Sequence, residues 1–109
     1  MDKQETKIAT ITFREGSYTG ALKEGIPHGK GMYTCERYSY DGQWLKGKMS
    51  GYGVLVAADG SAYDGFWEDN RKHGAGLSIH PNGTTYEGEW KNGIRHGQGV
   101  LKIANGVRK

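Results

Sequence analysis

Side chains alternate along Tyr86-Glu87-Gly88-Glu89-Trp90, so that on a strand Tyr86, Gly88 and Trp90 share one face and Glu87 and Glu89 the other. The same alternation starts at Tyr18, Tyr40 and Tyr63, at intervals of 22, 23 and 23 residues. A period of this length marks a repeat architecture. Two residues after each tyrosine stands a glycine (Gly20, Gly42, Gly65, Gly88), and four after it Leu22, Trp44, Trp67 or Trp90. A turn follows, at Lys91 to Arg95 in the last unit, and the pairs Gly29/Gly31, Gly51/Gly53, Gly74/Gly76 and Gly97/Gly99 open a second strand. That strand carries an apolar residue fourteen after each tyrosine, Met32, Val54, Leu77 or Val100, and runs into Asp59-Gly60, Asn82-Gly83 or Asn105-Gly106. Such dipeptides signal tight two-residue hairpins. The pattern predicts an all-β fold, an elongated single-layer antiparallel sheet of stacked β-hairpins with no helix of note.

Exceptions to the pattern sharpen it. Seven residues after the tyrosines come Gly25, Gly47, Asn70 and Gly93, where a turn needs positive φ, and asparagine is the natural substitute for glycine there. Gly88, between two large aromatics, leaves room for a ring from a neighbouring strand. The first unit has Leu22 for tryptophan and a shortened Glu36-Arg37-Tyr38-Ser39 turn without glycine, which predicts a bulge or a looser hairpin. Thr6 to Phe13, rich in Ile and Thr, reads as a strand, the second half of an earlier repeat. The chain thus divides into a polar tail and capping half-repeat at 1–17, a degenerate repeat at 18–39, and repeats at 40–62, 63–85 and 86–109.

Composition limits what can hold such a ribbon together. The 109 residues are 35% hydrophobic, too few for a large central core, and the 19 glycines show no Gly-X-Y triplet. One Tyr and one Trp per repeat must form an aromatic spine in place of a core, with Tyr63 and Trp67, in the middle, the costliest to lose. The charged start, Met1-Asp2-Lys3-Gln4-Glu5-Thr6-Lys7, lacks the apolar stretch of a signal peptide, and no run approaches the length of a membrane span. With the lone Cys35 this reads as a cytoplasmic protein, with cytoskeletal or membrane association left open.

The pattern Tyr-x-Gly-x-Trp-x-x-Gly-x-x-x-Gly-x-Gly, as it stands in Tyr86 to Gly99, resembles the MORN (membrane occupation and recognition nexus) repeat. The resemblance implies a twisted sheet with a groove along one face. It also implies an adaptor for protein partners, often cytoskeletal or ciliary, with proposed contacts to acidic phospholipids. MORN arrays also occur fused to lipid kinases and SET-domain methyltransferases, and nothing in this chain resembles either catalytic domain.

Two sets of candidate site residues follow. The aromatics Tyr40, Trp44, Tyr63, Trp67, Tyr86 and Trp90 build the spine, and because a single layer has no second sheet over it, they are also expected to line a groove for a partner peptide or helix. The turn windows gather Lys46, Lys48, Arg71, Lys72, Lys91 and Arg95, a basic edge suited to an acidic partner or a phosphoinositide surface. The net charge of +3 is too small to imply nucleic acid.

Other motifs lead to no chemistry. His28, His73 and His96 stand in register ten residues after their tyrosines, but equivalent atoms on adjacent hairpins lie about 9.6 Å apart, twice the strand spacing. Two ligands of one zinc must approach within about 4 Å, so the histidines read as loop-structuring and no metal or cofactor is expected. The Gly-x-Gly pairs lack the helix of a phosphate-binding loop, and Asn82-Gly83-Thr84 reads as a turn rather than a glycosylation acceptor. With no nucleophile-base grouping, no enzyme is expected. Unpaired strands at the sheet ends, including the one near Asn105, allow a homodimer.

Overall fold

The computed structural model describes residues 7–104. Nine strands follow one another: β1 (Lys7–Phe13), β2 (Gly16–Lys23), β3 (Ile26–Thr34), β4 (Tyr38–Leu45), β5 (Lys48–Ala57), β6 (Ala62–Glu68), β7 (Arg71–Ile79), β8 (Thr85–Lys91) and β9 (Ile94–Lys102). Each pairs antiparallel with the next in a single open sheet, and the described residues contain no helix. The body measures 60 × 29 × 18 Å. The strand expected before the first tyrosine is β1, and each tyrosine-led period supplies two strands.

One face of this sheet holds the core. Glycines face each other across the strands that follow each tyrosine: Gly20 and Gly31, Gly42 and Gly53, Gly65 and Gly76, Gly88 and Gly99. The tyrosine two residues earlier lays its ring over the pair. A Cβ on Gly76 would stand 2.0 Å from the Tyr63 hydroxyl, so glycine is required there by space. The ring therefore comes from the same strand as the first glycine, not from a neighbouring strand as the alternation suggested. Its hydroxyl donates to the carbonyl three residues on, Tyr40 to Gln43 at 2.9 Å and Tyr63 to Phe66 at 3.1 Å.

Each tryptophan then stands edge-on between two tyrosines. Ring centroids are 5.3 Å apart for Tyr18–Trp44, 5.2 and 5.4 Å for Tyr40 with Trp44 and Trp67, 5.1 and 5.5 Å for Tyr63 with Trp67 and Trp90, and 5.3 Å for Tyr86–Trp90. Interplanar angles of 86–90° suit the ring quadrupoles, a geometry worth about 0.5–1.5 kcal/mol per pair beyond burial. The indole N–H groups are satisfied by glycine carbonyls of the preceding hairpin, Trp44 to Gly31 at 3.0 Å and Trp67 to Gly53 at 3.1 Å. Every tryptophan thus ties its repeat to the one before.

The turns expected at Gly25, Gly47, Asn70 and Gly93 form with positive φ, whereas those expected at Asp59-Gly60 and Asn82-Gly83 differ. Tight two-residue turns fall at Glu24-Gly25, Lys46-Gly47, Asp69-Asn70 and Asn92-Gly93, with positive φ at both positions, as a type I′ hairpin requires. Asp59-Gly60 and Asn82-Gly83 lie instead in longer loops, 58–61 and 80–84. There the Asp59 carboxylate accepts from the Ser61 N–H and hydroxyl, and Asn82 accepts from the Thr84 N–H. Side chains that bond two residues ahead close a loop locally without a two-residue turn. Asn105-Gly106 lies outside the described residues.

The second strand of each pair also starts earlier than expected, at Ile26, Lys48, Arg71 and Ile94, and passes through a register shift that contains the first glycine of the Gly-x-Gly pair. In the first repeat the predicted irregularity is a loop at 35–37, closed by the Cys35 N–H donating to the Tyr38 carbonyl at 2.9 Å.

Successive turns of a meander lie at opposite strand ends, yet Phe13 packs against Trp44 at 6.2 Å, and the Arg14 guanidinium donates to the Gly47 carbonyl at 3.3 Å. The strands therefore bend over the core face. In that bend Phe13 also meets Tyr33, edge-on at 6.0 Å, beside the repeat that has Leu22 in place of tryptophan.

Candidate interaction surfaces

The six aromatics proposed to line a groove are the core itself. Tyr40 and Tyr63 are 0% and 1% exposed, Trp44 and Trp67 5% and 6%, and Tyr86 and Trp90 both 7%. Burial pushes the hydroxyls of Tyr18 and Tyr63 up to about 12, and that of Tyr40 further. Each ring is consumed by its neighbours, so what this face presents is decided by what lies over the ladder. That position comes nine residues after each tyrosine: Pro27 and Met49, both buried, then Lys72 and Arg95. The Lys72 ammonium lies 4.8 Å from the Trp90 ring centre and 5.2 Å from that of Tyr63, and the Arg95 guanidinium lies 4.5 Å from the centre of Tyr86. Desolvation, and to a lesser degree Arg95, lowers the Lys72 pKa.

The basic edge is accordingly divided. Lys72 and Arg95 lie over rings of the ladder. Lys46, Lys48, Arg71 and Lys91 are exposed at successive hairpin ends, with Lys48 3.9 Å from Asp69.

Two of the three histidines in register structure the loops. His28 Nδ1 accepts from the Lys46 N–H at 3.2 Å and His73 Nδ1 from the Asn92 N–H at 3.5 Å, each reaching the next hairpin's turn. Where Ser50 interrupts the row, the Asn70 side chain accepts from the Met49 N–H at 2.8 Å and makes the equivalent tie. Among the described residues no group of three His, Cys, Asp or Glu is placed to hold a metal ion.

The opposite, outer face is open. Along its midline the register places Thr19, Met32, Asp41, Val54, Asp64, Leu77, Glu87 and Val100 side by side on β2 to β9. Beside this row Tyr52 and Phe66, each 47% exposed, meet edge-on at 5.7 Å, and the Tyr52 hydroxyl donates to Asp64. That hydrogen bond raises the Tyr52 pKa. Next to the pair is a shallow cleft of 380 Å³, floored by Gly65, Gly76 and Gly88 and walled by Phe66, Glu87, Glu89 and Gln98.

A four-fold periodic ladder of this kind has a counterpart among known repeats: a family model described as MORN repeat matches residues 18–39, 40–62, 63–85 and 86–108. The chain belongs to the MORN repeat family. The four matched MORN repeats begin at the four tyrosines whose rings cover the glycine pairs. No curated protein matches the chain. MORN repeats are in general interaction or membrane-associated modules and are generally non-enzymatic. No helix among the described residues is long and apolar enough to cross a membrane.

The outer face of the MORN array was missed by reading the aromatics as a groove. Its signal was nonetheless present, in the apolar position fourteen after each tyrosine and the residue directly after it, Thr19, Asp41, Asp64 or Glu87. Alternation says only that these share a face. That this face is the open one depends on the tyrosines lying flat, which follows from the glycine pairs.

Proposed function

We propose that the chain is a non-catalytic interaction module that takes a segment of a protein partner across its sheet, the setting implied by the family being cytoskeletal or membrane-proximal. The observation that carries this reading is the half-exposed Tyr52–Phe66 pair beside an open cleft, on a face without a second layer. Exposed aromatics flanked by polar groups are the usual anchors of partner binding. The buried Tyr and Trp rings contribute rigidity, which spares a partner the cost of ordering the surface it meets. The test compares partner capture by the native chain and by the Tyr52→Ser, Phe66→Ser variant, with thermal melts of both. A partner retained by the native chain and lost by an equally folded variant supports the reading, whereas undiminished capture by the variant sinks it.

A second reading, binding of an acidic phospholipid surface, is favoured by Lys46, Arg71 and Lys91, exposed on three successive hairpin ends. Each such cation is worth about 1 kcal/mol near an anionic leaflet. Co-sedimentation with phosphoinositide vesicles at about 50 and 300 mM salt tests it, because screening tightens strongly across that range. Binding that requires the acidic lipid and fades with salt supports it. No binding at low salt removes it.

A further inference from the structure

The outer midline is built as an alternation. From β4 to β9 it reads Asp41, Val54, Asp64, Leu77, Glu87, Val100, one residue per strand, acid and apolar in turn. Glu89 adds a carboxylate beside the cleft. The two ion pairs among the described residues, Lys48–Asp69 and His73–Glu68, involve none of these acids. The cations in the flanking rows, Lys30 opposite Gln43 and Lys102 opposite Thr85, stand toward the two ends of the array. Although the chain is basic overall, this face is acidic at its centre.

The spacing selects the shape of what it fits. Carboxylates on alternate strands recur about every 9.6 Å, with an apolar side chain about 4.8 Å from each. An α-helix lying across the strands advances about 5.4 Å per turn, so residues seven apart are about 10.5 Å apart and the turn between them falls opposite the apolar position. An extended peptide repeats a face about every 6.6 Å and misses this period. The row also lies near mid-strand, where the midline of a twisted sheet stays straight while rows nearer the ends wind around it. A straight helix can follow that line.

Resting on the reading of the chain as a partner-binding module, we propose that the occupant of the outer face is an amphipathic helix of a protein partner that carries Lys or Arg about every seventh residue, with apolar residues on the intervening turns. The bases pair with Asp41, Asp64 and Glu87, and the apolar side chains cover Val54, Leu77 and Val100 and abut the Tyr52–Phe66 pair. Crossing from β4 to β9 spans five strand spacings, about 24 Å, which a helix of about sixteen residues covers.

The experiment selects binders from a displayed library of eighteen-residue helical peptides against the native chain. It then measures each selected peptide on the native chain, on an Asp41→Asn, Asp64→Asn, Glu87→Gln variant and on the Tyr52→Ser, Phe66→Ser variant, with thermal melts as the control for folding. Enriched Lys or Arg at the seven-residue spacing, with affinity about tenfold lower on the neutralised variant and at raised salt, supports the proposal. Peptides that lose affinity with Tyr52 and Phe66 but carry no basic excess, or ignore the carboxylates, overturn the cationic occupant and leave the interaction module standing. Peptides indifferent to both variants, or no enriched peptide at all, overturn both.

Discussion

Phe66 and Trp67 are consecutive residues of β6 and lie on opposite sides of one sheet. Trp67 is 6% exposed, held edge-on between Tyr40 and Tyr63, with its indole N–H on the Gly53 carbonyl. Phe66 is 47% exposed and has one ring neighbour, Tyr52. A single-layer sheet lets one face act as the core because paired glycines allow the tyrosine rings to lie flat and close it. The other face, relieved of that task, is available for binding. On the proposed reading, folding and recognition fall to alternate residues of the same strands.

The largest test of this division is to remove each ring in turn. Trp67→Ala should cost about 3–5 kcal/mol, because it opens a void in the middle of the ladder and leaves the Gly53 carbonyl without its donor. Phe66→Ala should cost no more than about 1.5 kcal/mol, since it forfeits one exposed aromatic pair. Urea unfolding of both variants checks this, and equal losses would break the distinction between the faces.

Gly76→Ala probes the same face from beneath. The added methyl would stand 2.0 Å from the Tyr63 hydroxyl and 2.3 Å from its Cζ, so the ring must lift from the strand. Overpacking of this kind costs about 1–3 kcal/mol, and lifting the ring also strains the Trp67 and Trp90 contacts. Ala75→Gly, one residue away on the outer face, should stay within about 1 kcal/mol of the native value. Thermal melting of the pair ranks them. A Gly76→Ala protein as stable as the native one would mean that the tyrosine does not lie flat over the glycines.

Alkaline titration separates the faces without mutation. The Tyr18 and Tyr63 hydroxyls are pushed up to about 12 by burial, whereas in the unfolded chain tyrosine ionises near its ordinary value of 10. The protonated ring is therefore favoured by folding. The stability it contributes is present in full below pH 10 and is lost progressively as the pH rises toward 12. The expected result is a melting temperature that falls across this window, with tyrosinate absorbance from the buried rings appearing together with unfolding. Smooth titration of every tyrosine while the fold persists would refute the closed core.

Much of this was legible from residues alone. Because Tyr, Gly and Trp recur with period two inside a longer period, the strands, their order and the aromatic spine follow from the sequence. Turn geometry was less accessible. Asp59-Gly60 and Asn82-Gly83 carry a two-residue hairpin signal, but the Asp59–Ser61 and Asn82–Thr84 bonds close longer loops, and the tight turns formed at the other strand ends. Which face stays open was hidden for a different reason. A tyrosine on an unpaired layer looks available until the paired glycine beneath it is known to take the ring. The contacts of Phe13 and Arg14 with Trp44 and Gly47 depend on a bend in the strands that no local pattern carries.

The smallest effect concerns Lys72, the only charged side chain among the described residues that lies over the ladder between two of its rings. Lys72 occupies the place held by Met49 one repeat earlier, and gains attraction from the Tyr63 and Trp90 ring faces while losing hydration and facing Arg95. An ammonium over an aromatic ring is worth about 0.5–1 kcal/mol at an exposed site and about 2 kcal/mol where it is desolvated. Burial and, to a lesser degree, Arg95 act against the charged form and lower the Lys72 pKa. Lys72→Met removes the penalty together with the attraction and installs the residue that serves this position one repeat earlier, so it should leave the fold intact and stabilise it slightly near neutral pH, by less than about 1 kcal/mol. This gain should shrink at high pH as the native lysine loses its proton and the penalty it carries disappears. Melts of the variant and the native chain at neutral pH and near pH 10 measure both the sign and the trend. A clear loss of stability in Lys72→Met at neutral pH would mean that the cation holds the last two tryptophan-bearing repeats together. The charged cover would then be a structural member of the core face.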